Sequence, residues 1–395
     1  MSAVVVDAPT GHDRLLGPAP TEPLPRLDTA GLSRLVEQAG LTGRGGAGFP
    51  TARKLASVAG HRPVVVGNAM EGEPLSSKDA VLLYHSPGLV IDGLALLGAA
   101  LRARRLVLAV GPEVPVGPVQ RAAGGSRVEV MTLEGGFVAG QESALVSQLN
   151  GGPPIPGDPL VPVFRHGVDA RPTLVLNAET LAQLALLVRY GPAWFRSVGP
   201  PEDPGTFLTT LSASDASVML RPGVLEVPRG SSLRDVLMAA ETRLDRVAAV
   251  LVGGYHGAWV PSTALDVPLT RSALAPYAAT PGAGVLHVLD RDTCPLGMAA
   301  TVAEYLAGQG ARQCGPCVNG LPRLASTLRR LAVPAAAGLV PEVERLRRLV
   351  HGRGACAHPD GTARFVASTM QVFAAHVQQH LEGACDADPR RLDPV

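Results

Sequence analysis

The sequence predicts an α/β protein in three parts: an N-terminal α/β domain with a central, mostly parallel sheet, a small α+β domain, and a C-terminal four-helix bundle. Three observations carry this. Apolar runs of strand length alternate with helical stretches through the first two hundred residues, the pattern left by a sheet with helices on its faces. Short strands and turns take over after Gly199-Pro200-Pro201. From Pro295 onward apolar residues recur at helical spacing. At 395 residues the chain is too long for one small core. The expected divisions are a flexible arm at 1–28, domains at 29–200, 205–283 and 286–384, and a tail at 385–395.

The arm lacks the basic segment followed by a long apolar run that marks a secretory signal. Residues 29–40 read as a short helix with Leu32, Leu35 and Val36 on one side. The run Gly43-Arg44-Gly45-Gly46-Ala47-Gly48-Phe49-Pro50-Thr51 follows at once. It contains G-x-G-x-x-G, but after a helix instead of a strand, so the dinucleotide fingerprint fails its context. What remains is bare backbone, whose N–H groups can approach an anion or a flat ring, and a helix start at 51–59. Strands are expected at 63–66, 105–110, 127–133 and 173–176, with helices at 88–102 and 180–188. Residues 206–267 read as short strands around an amphipathic helix at 233–240. In the bundle, Leu296, Ala299, Val302 and Leu306 share a face, as do Leu321, Leu324, Leu328 and Leu331, then Val343, Leu346 and Leu349, then Phe365, Phe373 and Val377.

Composition excludes several functions. Net charge is +1 with no basic stripe, so nucleic acid is not an expected partner. No uncharged apolar run reaches the roughly 18 residues of a membrane span, the nearest being broken by Asp92. Five cysteines, an odd count, argue against a disulfide framework and for a reducing, cytoplasmic setting. Only two of the 35 basic residues are lysine. Lys54 and Lys78 adjoin the glycine run and the stretch Asn68-Ala69-Met70-Glu71-Gly72-Glu73-Pro74. A compact ammonium is kept where a planar guanidinium cannot substitute, so the pair marks one site.

Cys314 and Cys317 lie in the first link of the bundle and Cys356 in the third, and in an up-down bundle these links emerge at the same end. Three thiolates converging there suit an iron–sulfur cluster, with zinc or redox thiols as alternatives. The fourth position is open to His358 or Asp360, to water, or to nothing. Cys294 and Cys385 belong to the opposite end, about 30 Å away along a helix of some twenty residues, and are not expected as ligands. Of the ten histidines, only His358 is expected near a metal.

With these residues in view, the chain resembles a divergent flavin-bearing, NADH-oxidising subunit of respiratory complex I, the NADH-quinone oxidoreductase F-subunit family, and its relatives in NAD-linked hydrogenases and formate dehydrogenases. The likeness runs in order through the glycine run with Lys54, Asn68 to Pro74 with Lys78-Asp79, Gly136-Phe137-Val138-Ala139-Gly140-Gln141-Glu142, Thr173-Leu174-Val175-Leu176-Asn177, and Gln313-Cys314-Gly315-Pro316-Cys317. It implies an FMN-binding N-terminal domain, a middle domain similar to the soluble-ligand-binding (SLBB-like) β-grasp module, and an iron–sulfur-binding bundle. Gly43, Arg44, Gly45, Gly46, Ala47 and Gly48 would line the flavin and nucleotide site, and Phe49 would stack on a ring. Lys54 and Asn68 would contact FMN, Glu71 and Glu73 would face the nucleotide side, and Gln141, Glu142 and Asn177 would hold the flavin's far edge and phosphate region. Hydride transfer from nicotinamide to flavin needs no general acid, so no catalytic side chain is assigned.

This chain departs from the family at Met70, Phe137, Gln141 and Leu176, where polar groups are usual, and at Ser57 and in 159–163, where an aromatic is usual. Two lost stacking contacts would weaken nucleotide binding roughly tenfold or more. Three cysteines imply a [3Fe-4S] cluster, or a [4Fe-4S] cluster with His358 or another non-cysteine fourth ligand. The implied function is electron transfer between NAD(P)H, FMN and the cluster toward a ferredoxin-like or thioredoxin-like iron–sulfur subunit, without membrane insertion. The alternatives are a flavin and iron–sulfur protein that exchanges electrons only with protein partners, or a cofactor-poor scaffold.

Overall fold

Four runs rich in valine and leucine build a parallel sheet from β1 (Val64–Ala69), β2 (Arg105–Val110), β3 (Val128–Thr132) and β4 (Thr173–Asn177), in the order β3-β2-β1-β4. The computed structural model describes residues 13–18, 20, 23–157, 160–335, 338–385 and 387. Helices α1 (Thr29–Ala39) and α2 (Thr51–Val58) precede β1; α3 (Lys78–His85) and α4 (Pro87–Ala100) join β1 to β2. Then come α5 (Val116–Ala123) before β3, α6 (Glu142–Leu149) before β4, and α7 (Ala178–Phe195) after it. The Asp28 carboxylate caps α1 by accepting the Gly31 N–H at 2.8 Å.

Side-chain alternation along β1 sorts the core into two layers. Val65 joins Leu94 and Leu97 of α4 and Leu181 and Leu184 of α7 on one face, while Val64 and Val66 join Leu145 and Leu149 of α6 on the other. Burial on both faces is why these strands read as continuous apolar runs.

The chain divides into two compact units, residues 1–210 with 223–231, and 211–222 with 232–395. Strand β5 (Thr206–Ala213) is shared between them, its first part lying beside β6 (Gly223–Pro228) in the first unit. The second unit continues with α8 (Leu233–Ala239), β7 (Val247–Val252), β8 (Ala258–Pro261), α9 (Arg271–Leu274) and β9 (Val285–Asp290), where β7 pairs antiparallel with both β8 and β9. The bundle is α10 (Pro295–Gly308), α11 (Leu321–Leu331), α12 (Leu339–Val350), α13 (His358–Val372) and α14 (Ala374–Leu381), so the fourth expected helix is broken at Phe373. The division differs from the expected boundaries, because β8 and the bundle share a core. Trp259 is fully buried, its indole donates to Thr369 Oγ1 at 3.0 Å, and its ring meets Phe373 edge-on at 5.4 Å.

The arm also differs from expectation. Its residues 1–12 lie outside those described, as do 386 and 388–395 of the tail. Leu15, however, is fully buried, its N–H donates to Glu226 at 2.7 Å, and the Arg14 guanidinium lies 4.1 Å over the Trp194 ring. The polar look of the segment concealed one apolar anchor and one cation–π contact. Among the described residues no single helix is long and apolar enough to cross a membrane, and the bent pair α3 and α4 is core, with Leu89, Val90, Leu94 and Leu97 buried.

Burial pushes the Glu226 carboxyl up to about 7, against hydrogen bonds from Thr206 and the Leu15 and Leu16 amides. A raised acid stabilises the fold fully below its unfolded value of 4.5, and that contribution is lost as pH rises through 7. Glu226→Gln is expected to remove a fall in stability of at most about 3 kcal/mol across that window, measured by urea denaturation over a pH series.

Candidate functional site

Chain order reverses across the first sheet: β2 and β3 extend from β1 on one side and β4 lies on the other. Such a switch leaves a crevice at the carboxyl ends of the two strands, where open α/β sheets bind ligands. Here those ends are Asn68 and Asn177, paired in register. Asn177 Nδ2 donates to the Asn68 carbonyl at 3.3 Å and to Asp79 at 2.7 Å, and Asn68 Nδ2 donates to the Gly140 carbonyl at 2.9 Å. Helix α6 starts at Glu142 and α7 at Ala178, directly after strand ends, bringing two positive helix termini to the same side of the sheet.

The glycine loop folds as a tight turn. The Gly43 N–H donates to the Phe49 carbonyl at 2.9 Å, and Gly46 takes φ 102°, which a side chain would strain. A Cβ on Gly45 would stand 3.2 Å from Asn177 Cβ, so the turn rests on the end of β4. Gly45, Ala47 and Phe49 are exposed. From α2, Lys54 donates to the Val175 carbonyl at 3.1 Å and pairs with the Glu142 carboxylate. Gln141 precedes α6 and is half-buried.

Two expected contacts point elsewhere. Arg44 is buried behind the loop, its N–H on Thr180 Oγ1 at 2.8 Å and its guanidinium on the Pro204 carbonyl at 3.2 Å. Burial, then Arg229, pushes its pKa down to about 10. Arg44 therefore pins the loop instead of reaching a ligand. Glu71 turns both carboxylate oxygens onto the start of α3, accepting from Ser76 Oγ at 2.6 Å and from the Asp79 and Ala80 amides at 3.0 Å each. Burial, then Asp79, raises its pKa. It is a helix cap, and Glu73, half-buried, is the acidic residue of that loop left nearer the surface. The loop packs backbone on backbone, since a Cβ on Gly72 would meet the Gly136 carbonyl at 2.7 Å.

Beneath the crevice lies Lys78, 3% exposed, donating to Asp79 at 2.8 Å, Glu179 at 3.0 Å and Asn177 at 3.3 Å. Burial works against the ammonium, but Asp79 and Glu179 outweigh it and raise the pKa. Of the two lysines that marked the site, Lys54 borders it and Lys78 supports it from below. The parts at the crevice are amides, helix starts and one half-exposed ammonium, a set that fits the phosphate and polar ring edge of FMN.

In the second unit, Cys314 and Cys317 follow α10 and Cys356 precedes α13. One π turn (Pro316–Gly320) sets Cys317 among Leu321, Val350 and Ala363. Burial, then Cys314 and Cys356, pushes its thiol up to about 11, while the Arg312 amide donates to it. Three thiols in mutual reach, one nearly dry and amide-bonded, fit an iron–sulfur cluster. His358 does not complete the set. Its Nε2 faces the Leu306 carbonyl at 2.8 Å and its Nδ1 faces His256 Nε2 at 3.1 Å, so both ring nitrogens are engaged. Burial, then His358, pushes the His256 pKa down to about 3. Asp360, the other option, accepts the Gly352 N–H at 2.6 Å.

One group escaped the sequence reading. Cys294, His376, His380 and Cys385 place their ligand atoms within 4.8 Å of one another. Both cysteines were expected to be bystanders, and His358 the only histidine near a metal; the helical spacing of His376 and His380, with Cys385 close behind, was the available signal.

The crevice and the thiol cluster together define the class: an oxidoreductase component built for flavin and iron–sulfur electron transfer. Residues 36–186 match the family described as Nuo51 FMN-binding domain, and residues 297–380 match the NADH-ubiquinone oxidoreductase-F iron-sulfur binding region. The chain is similar to the second F-type subunit of the NADH-quinone oxidoreductase of Rhizobium meliloti (strain 1021), 31% identical over 376 residues and covering 88% of each chain. It is similar to the NADP-reducing hydrogenase subunit HndC of Solidesulfovibrio fructosivorans, 28% identical, covering 88% of this chain and 75% of that one. Among solved structures, an NAD+-reducing [NiFe]-hydrogenase in the air-oxidized state superposes with a TM-score of 0.79 at 30% identity, over 91% of this chain. The chain spans 63% of that hydrogenase chain's length. It belongs to the NADH-quinone oxidoreductase F-subunit family.

Lys78→Met strands Asp79 and Glu179 and is expected to cost about 3–5 kcal/mol. Lys54→Met, at a solvent-screened pair, is expected to cost less than about 1 kcal/mol. Chemical denaturation of the two variants side by side measures the difference.

Proposed function

We propose that this chain takes electron pairs from a reduced nicotinamide nucleotide at the crevice between β1 and β4 and delivers single electrons, through Cys314, Cys317 and Cys356, to a protein partner. When bound, FMN supplies the exchange between hydride and single-electron chemistry. The observation that carries the reading is the convergence of the glycine turn, Lys54, Asn68, Glu142 and Asn177 at the switch point of the sheet. Hydride delivery asks the protein for position, not for a proton. Asn68 and Asn177 are held by the Gly140 carbonyl and Asp79, so their amides meet a ring edge in a fixed orientation. Lys54 brings the half-exposed cation, and an incoming phosphate competes with Glu142 for it.

Three thiolates with His358 engaged elsewhere favour a [3Fe-4S] cluster, or a [4Fe-4S] cluster whose fourth iron takes water. The names of the relatives, components of quinone-reducing and hydrogenase enzymes, support an iron–sulfur subunit of ferredoxin-like or thioredoxin-like type as the partner. Five free cysteines fit a reducing compartment such as the cytoplasm.

A second reading, electron exchange with protein partners alone, is favoured by two side chains. Met70 is 8% exposed within the apolar cluster under the crevice, and Ser57 turns its hydroxyl onto the Lys54 carbonyl at 2.7 Å, away from any nucleotide. Anaerobic purification followed by titration with NADH decides between the two. Bleaching of flavin absorbance by NADH supports the first reading, and bleaching only by a reduced iron–sulfur protein supports the second. Protein that stays colourless after supply of FMN, iron and sulfide would sink both. Lys54→Met is expected to weaken FMN binding about tenfold with iron content unchanged, and Cys356→Ser to remove iron and sulfide with flavin unchanged.

A further inference from the structure

The geometry points to a second metal centre in the bundle, a structural Zn2+ held by Cys294, His376, His380 and Cys385. These residues come from two places, the turn before α10 and the last helix with the turn after it. Cys294 Sγ lies 3.5 Å from His376 Nε2 and 3.6 Å from His380 Nε2, and Cys385 Sγ lies 3.8 Å from His376 Nε2. A tetrahedral ion bonded at about 2.3 Å to sulfur and about 2.0 Å to nitrogen separates those atoms by about 3.5 Å. The tetrad already has the edge lengths of a zinc tetrahedron.

The surroundings are built for it as well. His376 and His380 stand one turn apart on α14, so both rings face the same way, with centroids 4.8 Å apart. The Leu331 carbonyl lies 3.3 Å from His380 Nδ1, which places the proton there and leaves the Nε2 lone pair aimed at the centre. Cys294 caps α10, a helix of 14 residues, and its sulfur accepts the Gly297 N–H at 3.3 Å, an arrangement that favours thiolate. Cys294 is 5% exposed and His380 1%. Four protein ligands with two nearly dry make a closed site, the structural kind, not a catalytic one with an open position.

The donor set selects the ion. Two thiolates and two imidazoles in tetrahedral array suit Zn2+. A Rieske [2Fe-2S] centre puts the histidines and the cysteines on different irons, which holds sulfur and nitrogen farther apart than the 3.5 to 3.8 Å found here. The site is distinct from the thiols at Cys314, Cys317 and Cys356. Cys294 precedes α10 and Cys314 follows it, and a helix of 14 residues is about 21 Å long. A reason for the metal is visible in α14, where only Val377 and His380 are buried. Apolar packing holds that helix weakly, and the ion fastens it to the start of α10.

The full-length chain, produced with zinc and iron in the medium and purified anaerobically, tests this by elemental analysis together with acid-labile sulfide. One zinc per chain is expected beside the iron. Cys385→Ser, at a position after the last helix where the fold tolerates change, and His376→Asn are each expected to lower zinc to below about a tenth while iron and sulfide stay unchanged. Cys314→Ser is expected to do the reverse, and flavin content is read separately, so failure here is distinguishable from failure of the proposed electron transfer. Replacement of zinc by Co2+ should give the intense visible bands of a tetrahedral thiolate site, lost in Cys385→Ser. The proposal is overturned if the wild type holds no zinc, if Cys385→Ser retains it, if iron occupies the tetrad, or if thiol labelling finds Cys294 and Cys385 joined as a disulfide.

Discussion

Everything at the crevice rests on one buried ammonium. Lys78 directs its three protons to Asp79, Glu179 and Asn177, tying the start of α3 to the junction of β4 and α7. Through Asp79 it sets the Asn177 amide, and Glu179 extends the network by accepting the Leu208 N–H at 3.0 Å with its other oxygen. Two carboxylates and one ammonium would be costly to bury without this closure, since an unpaired buried charge costs several kcal/mol. A guanidinium, planar and forked, does not match three oxygens converging on a point. That explains a lysine here in a chain that otherwise uses arginine.

Much of the fold was legible because local pattern and tertiary role agree. Residues 105–110 read as a strand and are β2, and 29–40 gave α1 with its capping aspartate and terminal Gly40. Parallel strands buried on both faces announce themselves as unbroken apolar runs. The helical faces of α11 and α12 were equally plain. The arm failed because a single leucine seated in a distant pocket leaves no periodic trace: Leu15 is buried against Glu226, more than two hundred residues away in sequence.

At the site, sequence located the motifs better than it assigned the atoms. Gly45, Lys54, Asn68, Glu142 and Asn177 lie where the sheet's switch point needs them. Arg44 and Glu71 belong to the same motifs, yet one anchors the turn from behind and the other caps a helix. A motif records which residues a structure requires, and support is as much a requirement as contact. His358 illustrates the same limit, since a histidine two residues from a cysteine still commits both nitrogens to Leu306 and His256. The metal-type tetrad was hidden by sequence distance, with Cys294 some eighty residues from the helix that carries its partners.

The floor of the crevice is made largely of peptide groups. Gly72 sits against the Gly136 and Phe137 carbonyls, and a Cβ on Gly140 would approach the Met70 carbonyl to 2.9 Å. Peptide planes locked against one another have no rotamers to exchange when the charge above them changes. For any redox group seated there, the surrounding dipoles would keep nearly the same arrangement in both oxidation states. Little reorganisation would then be needed at each electron step, and the rate would be governed by distance and driving force.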